Sequence, residues 1–274
     1  MASTPVATRS AFGDLVRYWR RERGLSQLEL ASAAMTTPRH MSFLETGRSG
    51  PSRDMVLRLS VALDVPLRDR NGMLLAAGFA PVYGEHDLDD PAFAVVHAAL
   101  QHMLVNHDPL PAVVLDRQWN VVRANEGARR LFGALLAPDP LPEPANVLRL
   151  VLQPGRVRDA VENWADVAPA LLERARREAV GGVLDVATAE LVLELRNGAD
   201  AAAFAAAPRT IGPLVPVIDL HVRVGETVLR WFSVVSTIGT PVDVTAQELR
   251  LEAFFPSDAG TEAAWRAMVA ALEP

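Results

Sequence analysis

The stretch Leu25–Arg48 reads LSQLELASAAMTTPRHMSFLETGR and predicts two short helices joined by a tight turn. Ser26 is a favourable first N-cap, and Glu29 three residues later completes the pattern of a capping box. The segment Thr36-Thr37-Pro38 supplies a hydroxyl cap and a first-turn proline for the second helix. Gly47 ends that helix, because glycine accepts the left-handed conformation of a helix C-terminus. These proportions predict a helix-turn-helix.

The flanking sequence extends this pair into a five-helix unit. An apolar stripe with helical spacing precedes the pair, and it consists of Phe12, Leu15, Val16 and Trp19. Two further apolar stripes follow, and they predict a fourth helix from about Asp54 to Leu63 and a fifth from about Arg68 to Ala77. Residues 1–80 are therefore expected to form an all-α domain.

Charge divides the chain into the same parts. The 274 residues carry 27 Arg and no Lys against 33 acids, with a net charge of -6. Residues 1–84 have a net charge of +4, whereas the rest of the chain has -10. We therefore expect only the N-terminal part to face a polyanion. The acidic stretch 81–91, which begins and ends with proline, is expected to be a linker between this domain and a second one over 92–274.

Residues 92–274 mix the two types of periodicity. A helix from about Phe93 precedes two short β-type runs, and strict alternation returns near the C-terminus. The expected strands are Ala112–Asp116, Trp119–Ala124, Ile218–Val224, Val228–Val235 and Leu249–Phe255. Gly225-Glu226 suits a type II′ hairpin loop. The pattern predicts an α+β domain with an antiparallel sheet. The Ala-rich stretch 197–213 fits either a helix or a loop.

Several classes of function are disfavoured. The absence of cysteine excludes disulfides, thiol nucleophiles and thiolate zinc sites. His97, His102 and His107 are five residues apart and do not share a helix face, so no metal site is expected. Phosphate loops, nucleophile elbows and Rossmann glycines are also absent, so neither a cofactor nor catalysis is expected, and an enzyme fused to a DNA-binding domain is the least favoured alternative. Without a secretory signal or a membrane-spanning segment, the protein is expected to be soluble and cytoplasmic.

The helix-turn-helix resembles the lambda-repressor-like type found in the XRE family of bacterial regulators. This resemblance implies double-stranded operator DNA as partner, with Thr37–Phe43 in the major groove. Arg39 would donate two hydrogen bonds to a guanine, and Phe43 would pack on a thymine methyl group. Arg20 and Glu45 match a structural ion pair of the family. The implied DNA-binding residues are Gln27, Thr37, Pro38, Arg39, His40, Ser42, Phe43 and Arg48, of which Gln27, Ser42 and Arg48 would contact the DNA backbone.

Interpretations in which these residues have only a structural role also remain open at this point. The N-terminal domain would also fit a helical bundle with an ordinary solvated arginine face. His40 fits an exposed side chain without a role, and Phe43 fits a core position. Because one such domain contacts few phosphates, specific binding calls for two of them on half-sites about one helical turn apart, and therefore for a homodimer.

The second domain also carries a resemblance. The segment Trp119–Asn125 (WNVVRAN) with Ala128–Gly133, and Gly239–Thr245 (GTPVDVT) leading to Leu249–Pro256, is similar to the MmyB-type ligand-binding domain, which has a PAS-like fold. The subfamily pattern extends into the first domain at His40–Arg48 and Leu74–Pro81. The stretch 197–213 has no counterpart.

The MmyB resemblance implies a small, largely apolar effector, such as a fatty-acyl-like compound, held between sheet and helices. The candidate lining residues are Trp119, Phe132, Trp164, Leu171, Leu172 and Phe232. The same side chains would suit a plain core, because pocket walls and cores use the same residue types. The chain is thus expected to be a ligand-responsive, one-component transcriptional regulator. The alternative is a DNA-binding regulator whose second domain only dimerises.

Overall fold

The computed structural model describes residues 11–178, 189–190, 193–194, 217 and 219–271. These residues belong to two compact units. The N-terminal unit comprises the described residues 11–86 together with 241–247, and the C-terminal unit comprises the other described residues. The Ala-rich stretch 197–213 lies outside the described residues.

Five helices form most of the N-terminal unit, as the apolar stripes predict. They are α1 (Ala11–Glu22), α2 (Gln27–Ala33), α3 (Pro38–Thr46), α4 (Arg53–Ala62) and α5 (Leu67–Ala76). The predicted caps are confirmed. Ser26 and Glu29 form a reciprocal capping box at the start of α2. Thr37 Oγ1 accepts the backbone N–H of His40, and Gly47 ends α3 with a φ of +73°.

A close approach of two helix backbones holds α3 against α1. Gly13 of α1 is buried, and a Cβ atom at this position would lie 2.7 Å from the carbonyl oxygens of both Leu44 and Glu45. Backbone atoms cannot swing aside as the end of a flexible side chain can. Only glycine therefore permits this distance between α1 and the helix-turn-helix.

Gly13→Ala should destabilise the N-terminal unit by about 1–3 kcal/mol, because the added methyl group forces α1 away from α3. Denaturant unfolding of the full chain measures this change. Gly72→Ala is a matched control, since Gly72 lies inside α5 and its Cβ would meet no atom within 4 Å. The control should be neutral or stabilising by up to about 1 kcal/mol. Equal effects of the two substitutions would contradict the close approach.

The N-terminal unit includes a segment that is distant in sequence. Pro66 precedes α5 and provides no side-chain cap. The backbone N–H of Leu67 donates instead to Gln247 Oε1 at 2.7 Å. In the same segment, Asp243 Oδ2 lies 2.7 Å from His86 Nδ1. A side chain 180 positions away in sequence thus satisfies the first free N–H group of α5.

One five-stranded antiparallel sheet with the order β2-β1-β5-β4-β3 organises the C-terminal unit. The strands are β1 (Ala112–Leu115), β2 (Val121–Ala124), β3 (Leu220–Val224), β4 (Thr227–Thr237) and β5 (Arg250–Pro256). Val224 pairs with Thr227 around the two-residue loop, and Gly225 has the positive φ, +61°, that a type II′ turn requires at its first position.

The order of the strands defines two faces of this sheet. The row Ala112, Ala253 and Val234 lies on what we call the front face, and the row Val113, Glu252 and Val235 lies on the back face. Further helices among the described residues include α6 (Ala94–His107), α7 (Glu126–Leu136), α8 (Val147–Leu152), α9 (Arg156–Ala160), α10 (Trp164–Glu178), α11 (Val244–Glu248) and α12 (Ala259–Ala271), and a short 3-10 helix, Pro91–Phe93, precedes α6. Residues 244–247 of α11 belong to the N-terminal unit. A core cluster joins back-face side chains of β1 to residues of α8 and α10.

The predicted strand Trp119–Ala124 is too long at its start. Trp119 lies in a turn with a φ of +69°, and β2 begins at Val121. Two hydrogen bonds close this turn, from the backbone N–H of Trp119 to Asp116 O and from that of Asn120 to Asp116 Oδ1. A tryptophan seldom takes this conformation, and burial of its ring explains why it does so here.

None of the described helices is both long enough and apolar enough to cross a membrane.

Candidate nucleic-acid interface and ligand-binding unit

Helix α3 has one buried and one accessible face. Met41, Leu44 and Glu45 point into the N-terminal unit and are buried. With 3.6 residues per turn, the opposite side of the helix carries Arg39 and Phe43. The side that the packing leaves accessible is therefore the side that the helix-turn-helix resemblance assigns to DNA.

Two arginines flank the aromatic ring on this side. The guanidinium carbon of Arg39 lies 5.5 Å from the ring centroid of Phe43, and that of Arg48 lies 6.0 Å from it. Phe43 is half-buried, whereas Arg39 and Arg48 are exposed. Cation–π attraction keeps both side chains close to the ring, so the end of α3 presents one basic, aromatic-centred patch.

The predicted structural ion pair is confirmed. Arg20 Nε donates to Glu45 Oε1 at 2.6 Å, and Arg20 also donates to Glu45 Oε2 at 3.1 Å. The second of these oxygens accepts the side-chain amide of Gln27 at 2.8 Å. Arg17 donates to the main-chain oxygen of Glu45 at 2.5 Å. One buried carboxylate of α3 thus holds residues of α1 and α2.

These contacts also set the charge state of Glu45. Burial raises the pKa of this carboxyl, but the hydrogen bonds from Arg20 and Gln27 and the charges of Arg20 and Arg17 outweigh it. The net pKa lies below the ordinary value of 4.5. The hydrogen bond to Glu45 raises the pKa of Arg20 in turn. The pair therefore stays ionised near neutral pH.

The structure collects seven of the eight expected DNA-binding residues on and around α3. Of these, Thr37, Pro38, Arg39 and Arg48 are exposed, and His40, Ser42 and Phe43 are half-buried. The eighth, Gln27, begins α2 and is half-buried, and its amide N–H is directed at Glu45. Sequence reasoning missed Arg17 as a residue that holds α3, although Arg17 is one turn before Arg20.

In the C-terminal unit, five of the six candidate lining residues belong to one cluster on the back face of the sheet. These five are Trp119, Phe132, Trp164, Leu171 and Leu172. Phe232 is on the front face, where its ring stacks on Phe255 with centroids 5.6 Å apart. The structure therefore brings five of these side chains together and places the sixth across the sheet.

A buried charged cluster adjoins these apolar residues. The guanidinium groups of Arg174 and Arg250 lie 4.8 and 4.7 Å from the ring centroid of Trp119. Arg174 also binds Glu252 through two hydrogen bonds of 2.7 and 3.0 Å. The alternation of β5 is typical of a strand with one solvated face, yet only 8% of Arg250 and 5% of Glu252 is exposed. Sequence reasoning missed this cluster, because it depends on α10, which covers the back face of the sheet and brings Arg174 to Glu252.

A polar groove of about 350 Å³ lies elsewhere in the same unit, between α6, β2 and the start of α7. Charged side chains line much of it, namely Asp108, Arg123, Glu126 and Arg129. None of the six candidate lining residues contributes to this groove. It therefore has a different chemical character from the apolar cluster on the back face.

Comparison with known proteins agrees with both halves of this description. Residues 16–69 match a helix-turn-helix family, and residues 96–268 match the MmyB-like transcription regulator ligand binding domain. The crystal structure of the clp gene regulator ClgR from C. glutamicum is 31% identical over 27% of this chain and 92% of its own, with a TM-score of 0.23. No curated protein matches the chain. Because the ligand-binding family covers more than half of the sequence, the chain belongs to the MmyB-like transcription regulators and is a DNA-binding transcriptional regulator with an N-terminal helix-turn-helix.

Proposed function

We propose that the protein is a one-component regulator in which a small apolar effector, bound in the C-terminal unit, controls the binding of a homodimer to operator DNA. It acts in the cytoplasm, where its DNA is. The single observation that carries the DNA-binding half is the accessible face of α3, with Arg39 and Phe43 at its centre. The apolar cluster on the back face of the sheet supports the effector half.

On DNA, α3 enters the major groove with Arg39 and Phe43 facing the base edges. The planar guanidinium of Arg39 donates two hydrogen bonds to a guanine, and the ring of Phe43 packs on a thymine methyl group. Arg48, Ser42 and Gln27 contact the phosphate backbone and set the register of α3 on the duplex. These phosphate contacts do not themselves distinguish one base sequence from another. The net charge of +4 in residues 1–84 attracts this unit to DNA.

In the C-terminal unit, the effector contacts the aromatic and leucine side chains of the back-face cluster. Small-molecule sites combine mainly apolar walls with a few fixed polar groups. Phe132 and Trp164 are half-buried and supply apolar surface, and the ion pair of Arg174 with Glu252 supplies fixed polar groups beside Trp119. This composition suits a molecule with an apolar chain, such as a fatty-acyl compound.

Control of DNA binding requires the effector to bind one arrangement of the dimer better than another. An electrophoretic mobility shift assay with the DNA upstream of the protein's own gene tests this function. Specific retardation that changes when the effector is added is expected, with an affinity that falls steeply as salt rises. A protein that retards this DNA no better than an unrelated fragment of equal length would contradict the proposal.

Binding of the effector should also raise the thermal stability of the full chain. At 100 times its Kd, a ligand that binds only the folded state stabilises that state by about 2.7 kcal/mol. Differential scanning fluorimetry with a series of fatty acids measures the shift, and native mass spectrometry of the purified protein detects a ligand retained from the cell. If neither method finds a ligand while DNA binding persists, the C-terminal unit is a dimerisation module only.

A further inference from the structure

The connection between β4 and β5 leaves the unit to which both strands belong. Thr237 at the end of β4 pairs with Arg250 at the start of β5, and residues 238–249 join the two strands. Within this connection, residues 241–247 belong to the N-terminal unit, whereas both strands belong to the C-terminal unit. The connection of one hairpin of the sheet is therefore part of the unit that carries the helix-turn-helix.

Residues 241–247 are firmly bound within the N-terminal unit. The backbone N–H of Val244 donates to Gly84 O at 2.8 Å, and Gly84 forms a parallel β-bridge with Asp243. A Cβ atom at Gly84 would lie 2.8 Å from the Asp243 carboxylate, so the two chain segments are in close contact at this point. Val244 and Ala246 are buried. Burial and backbone hydrogen bonding thus make this segment an integral part of the N-terminal unit.

The segment around Gly84 is bound to α5 in turn. Asn71 Oδ1 accepts the backbone N–H groups of Val82 and Tyr83, and Asn71 Nδ2 donates to Tyr83 O at 2.9 Å. The guanidinium of Arg70 donates to the Tyr83 hydroxyl and lies 5.7 Å from the centroid of its ring. Helix α5 therefore holds the chain segment with which residues 243 and 244 pair.

Gln247 also binds the first turn of α5 directly. Its Oε1 atom accepts the backbone N–H of Leu67 at 2.7 Å, at the helix end where no side-chain cap is present. Met73 of α5 is fully buried in the same core cluster as Met41 of α3. Because protein interiors are close-packed, a shift of α5 changes the packing beneath α3. The position of Gln247 is thus relevant to the helix that is proposed to contact the bases.

The other end of α11 leads directly to the apolar cluster of the C-terminal unit. Helix α11 ends at Glu248 and β5 begins at Arg250, so Leu249 alone separates them, and it is buried. The guanidinium of Arg250 lies 4.7 Å from the ring centroid of Trp119 and donates to Asp116 O at 2.8 Å. An effector that contacts Trp119 therefore lies beside a residue that is two positions from the end of α11.

We propose that α11 transmits effector binding to the DNA-binding unit, with Gln247 as its positioning residue. An effector at Trp119 displaces the guanidinium of Arg250, the start of β5 shifts with it, and Gln247 moves relative to Leu67. The inference rests on the proposed function in one respect, namely that the effector binds in the back-face cluster. Such coupling requires an element whose two arrangements are favoured differently at the two sites. Here that element is α5 with and without its Gln247 cap.

The first test needs no effector. Arg250→Lys keeps the buried charge but loses the planar group that lies over Trp119. In the full chain it should raise the hydrogen-exchange rate of amides in the first turn of α5 about five-fold, which corresponds to the loss of one hydrogen bond. Mass spectrometry of peptic peptides that cover residues 65–70 measures this rate. Val222→Ala removes buried apolar volume from β3 and controls for a general loss of stability, so it should leave the rate unchanged.

The same measurement on variants of Gln247 shows whether α11 carries the effect. Gln247→Ala removes the acceptor of the Leu67 N–H and should itself raise the exchange rate about five-fold. Gln247→Glu keeps a side-chain oxygen, which is also favourable at a helix N-terminus, and should match the parent. In the Gln247→Ala background, Arg250→Lys should add nothing further. A full additional effect there, or no effect of Arg250→Lys in the parent, would overturn the proposal.

The second test separates regulation from DNA affinity. Octanoate, dodecanoate and hexadecanoate are the probes, and mobility shifts use the DNA upstream of the protein's own gene. A fatty acid that raises the melting temperature of the parent should change its dissociation constant for this DNA about ten-fold. Gln247→Ala should keep the thermal shift and the DNA binding but lose this response, whereas Gln247→Glu should respond as the parent does. Equal responses of the parent and Gln247→Ala would show that α11 is not the link.

The outcomes also distinguish this inference from the proposed function. If none of the three fatty acids shifts the melting temperature, the proposed effector class is wrong, and the exchange rates of Arg250→Lys and Gln247→Ala still decide whether α11 connects the Trp119 cluster with α5. If a fatty acid controls DNA binding while Arg250→Lys leaves exchange at α5 unchanged, the proposed function stands and the role of α11 is wrong.

Discussion

Arg39→Ala and Phe43→Ala are expected to weaken binding of operator DNA by about ten-fold each, and the double variant by about 100-fold. Loss of a good bidentate contact with a base lowers the binding free energy by about 1–3 kcal/mol, and 1.4 kcal/mol corresponds to a factor of ten in affinity. Both side chains lie on the accessible face of α3, opposite the buried residues of that helix, and the guanidinium of Arg39 lies over the ring of Phe43. Their removal should therefore affect DNA binding without unfolding the unit.

Two variants control for charge and for shape. Arg39→Lys keeps the positive charge but loses the planar fork, so it should relax sequence preference while it retains most non-specific binding. Arg266→Ala removes an equal charge from the exposed surface of α12 and should leave DNA affinity unchanged. Mobility shifts with the operator and with single-base variants measure both effects. Undiminished binding by the double variant would show that another surface contacts the bases.

Glu45→Ala should reduce the stability of the N-terminal unit by about 3–5 kcal/mol, since removal of one partner leaves the other buried charges without compensation. Only 1% of the Glu45 side chain is exposed, and the side chains of Arg20 and Arg17 are 14% and 16% exposed. The substitution also removes the acceptor of the Gln27 amide. Circular dichroism during urea denaturation measures the loss. Glu22→Ala, on the exposed end of α1, should change stability by no more than about 0.5 kcal/mol.

The same carboxylate predicts how stability depends on pH. The folded-state pKa of Glu45 lies below its ordinary value of 4.5, so the stabilisation is fully present above that value. It is lost as the pH falls through the folded-state pKa. Glu45→Gln should be less stable than the parent near neutral pH and should lack this part of the acid dependence. Parallel pH profiles for the parent and Glu45→Gln would contradict the role of the ion pair.

Local signals were sufficient for the helix-turn-helix. Ser26 and Glu29 define the start of α2, and Thr37 and Gly47 define the two ends of α3, because each cap satisfies backbone groups within four residues of itself. The hairpin at Gly225 is another example, since its loop depends on the conformation of a single residue. The ion pair of Arg20 with Glu45 came from resemblance, and the distances confirm it.

Contacts between distant parts of the chain could not be predicted from such local signals. The alternation of β5 suggests that Arg250 and Glu252 face solvent, yet both are buried, because their exposure depends on the helices that cover the sheet. Phe232 looks like any other apolar strand residue, and only the strand order shows that it faces away from Trp119. Nothing in the sequence around Gly13 indicates that the carbonyl groups of α3 come close to it, and only the structure shows this contact.

The helix-turn-helix and the presence of a second, α+β domain could be predicted from the sequence, because caps, turns and hydrophobic periodicity depend on residues that are close together in the chain. The family followed from the resemblance of short motifs in both domains. Only the tertiary structure shows that Gln247 caps α5, that the backbones of α1 and α3 meet at Gly13, and that Arg250 and Glu252 are buried. The physical reason is that burial and hydrogen bonding are properties of pairs of groups. When the two members of a pair are far apart in the chain, the sequence around one of them does not show which residue the other is.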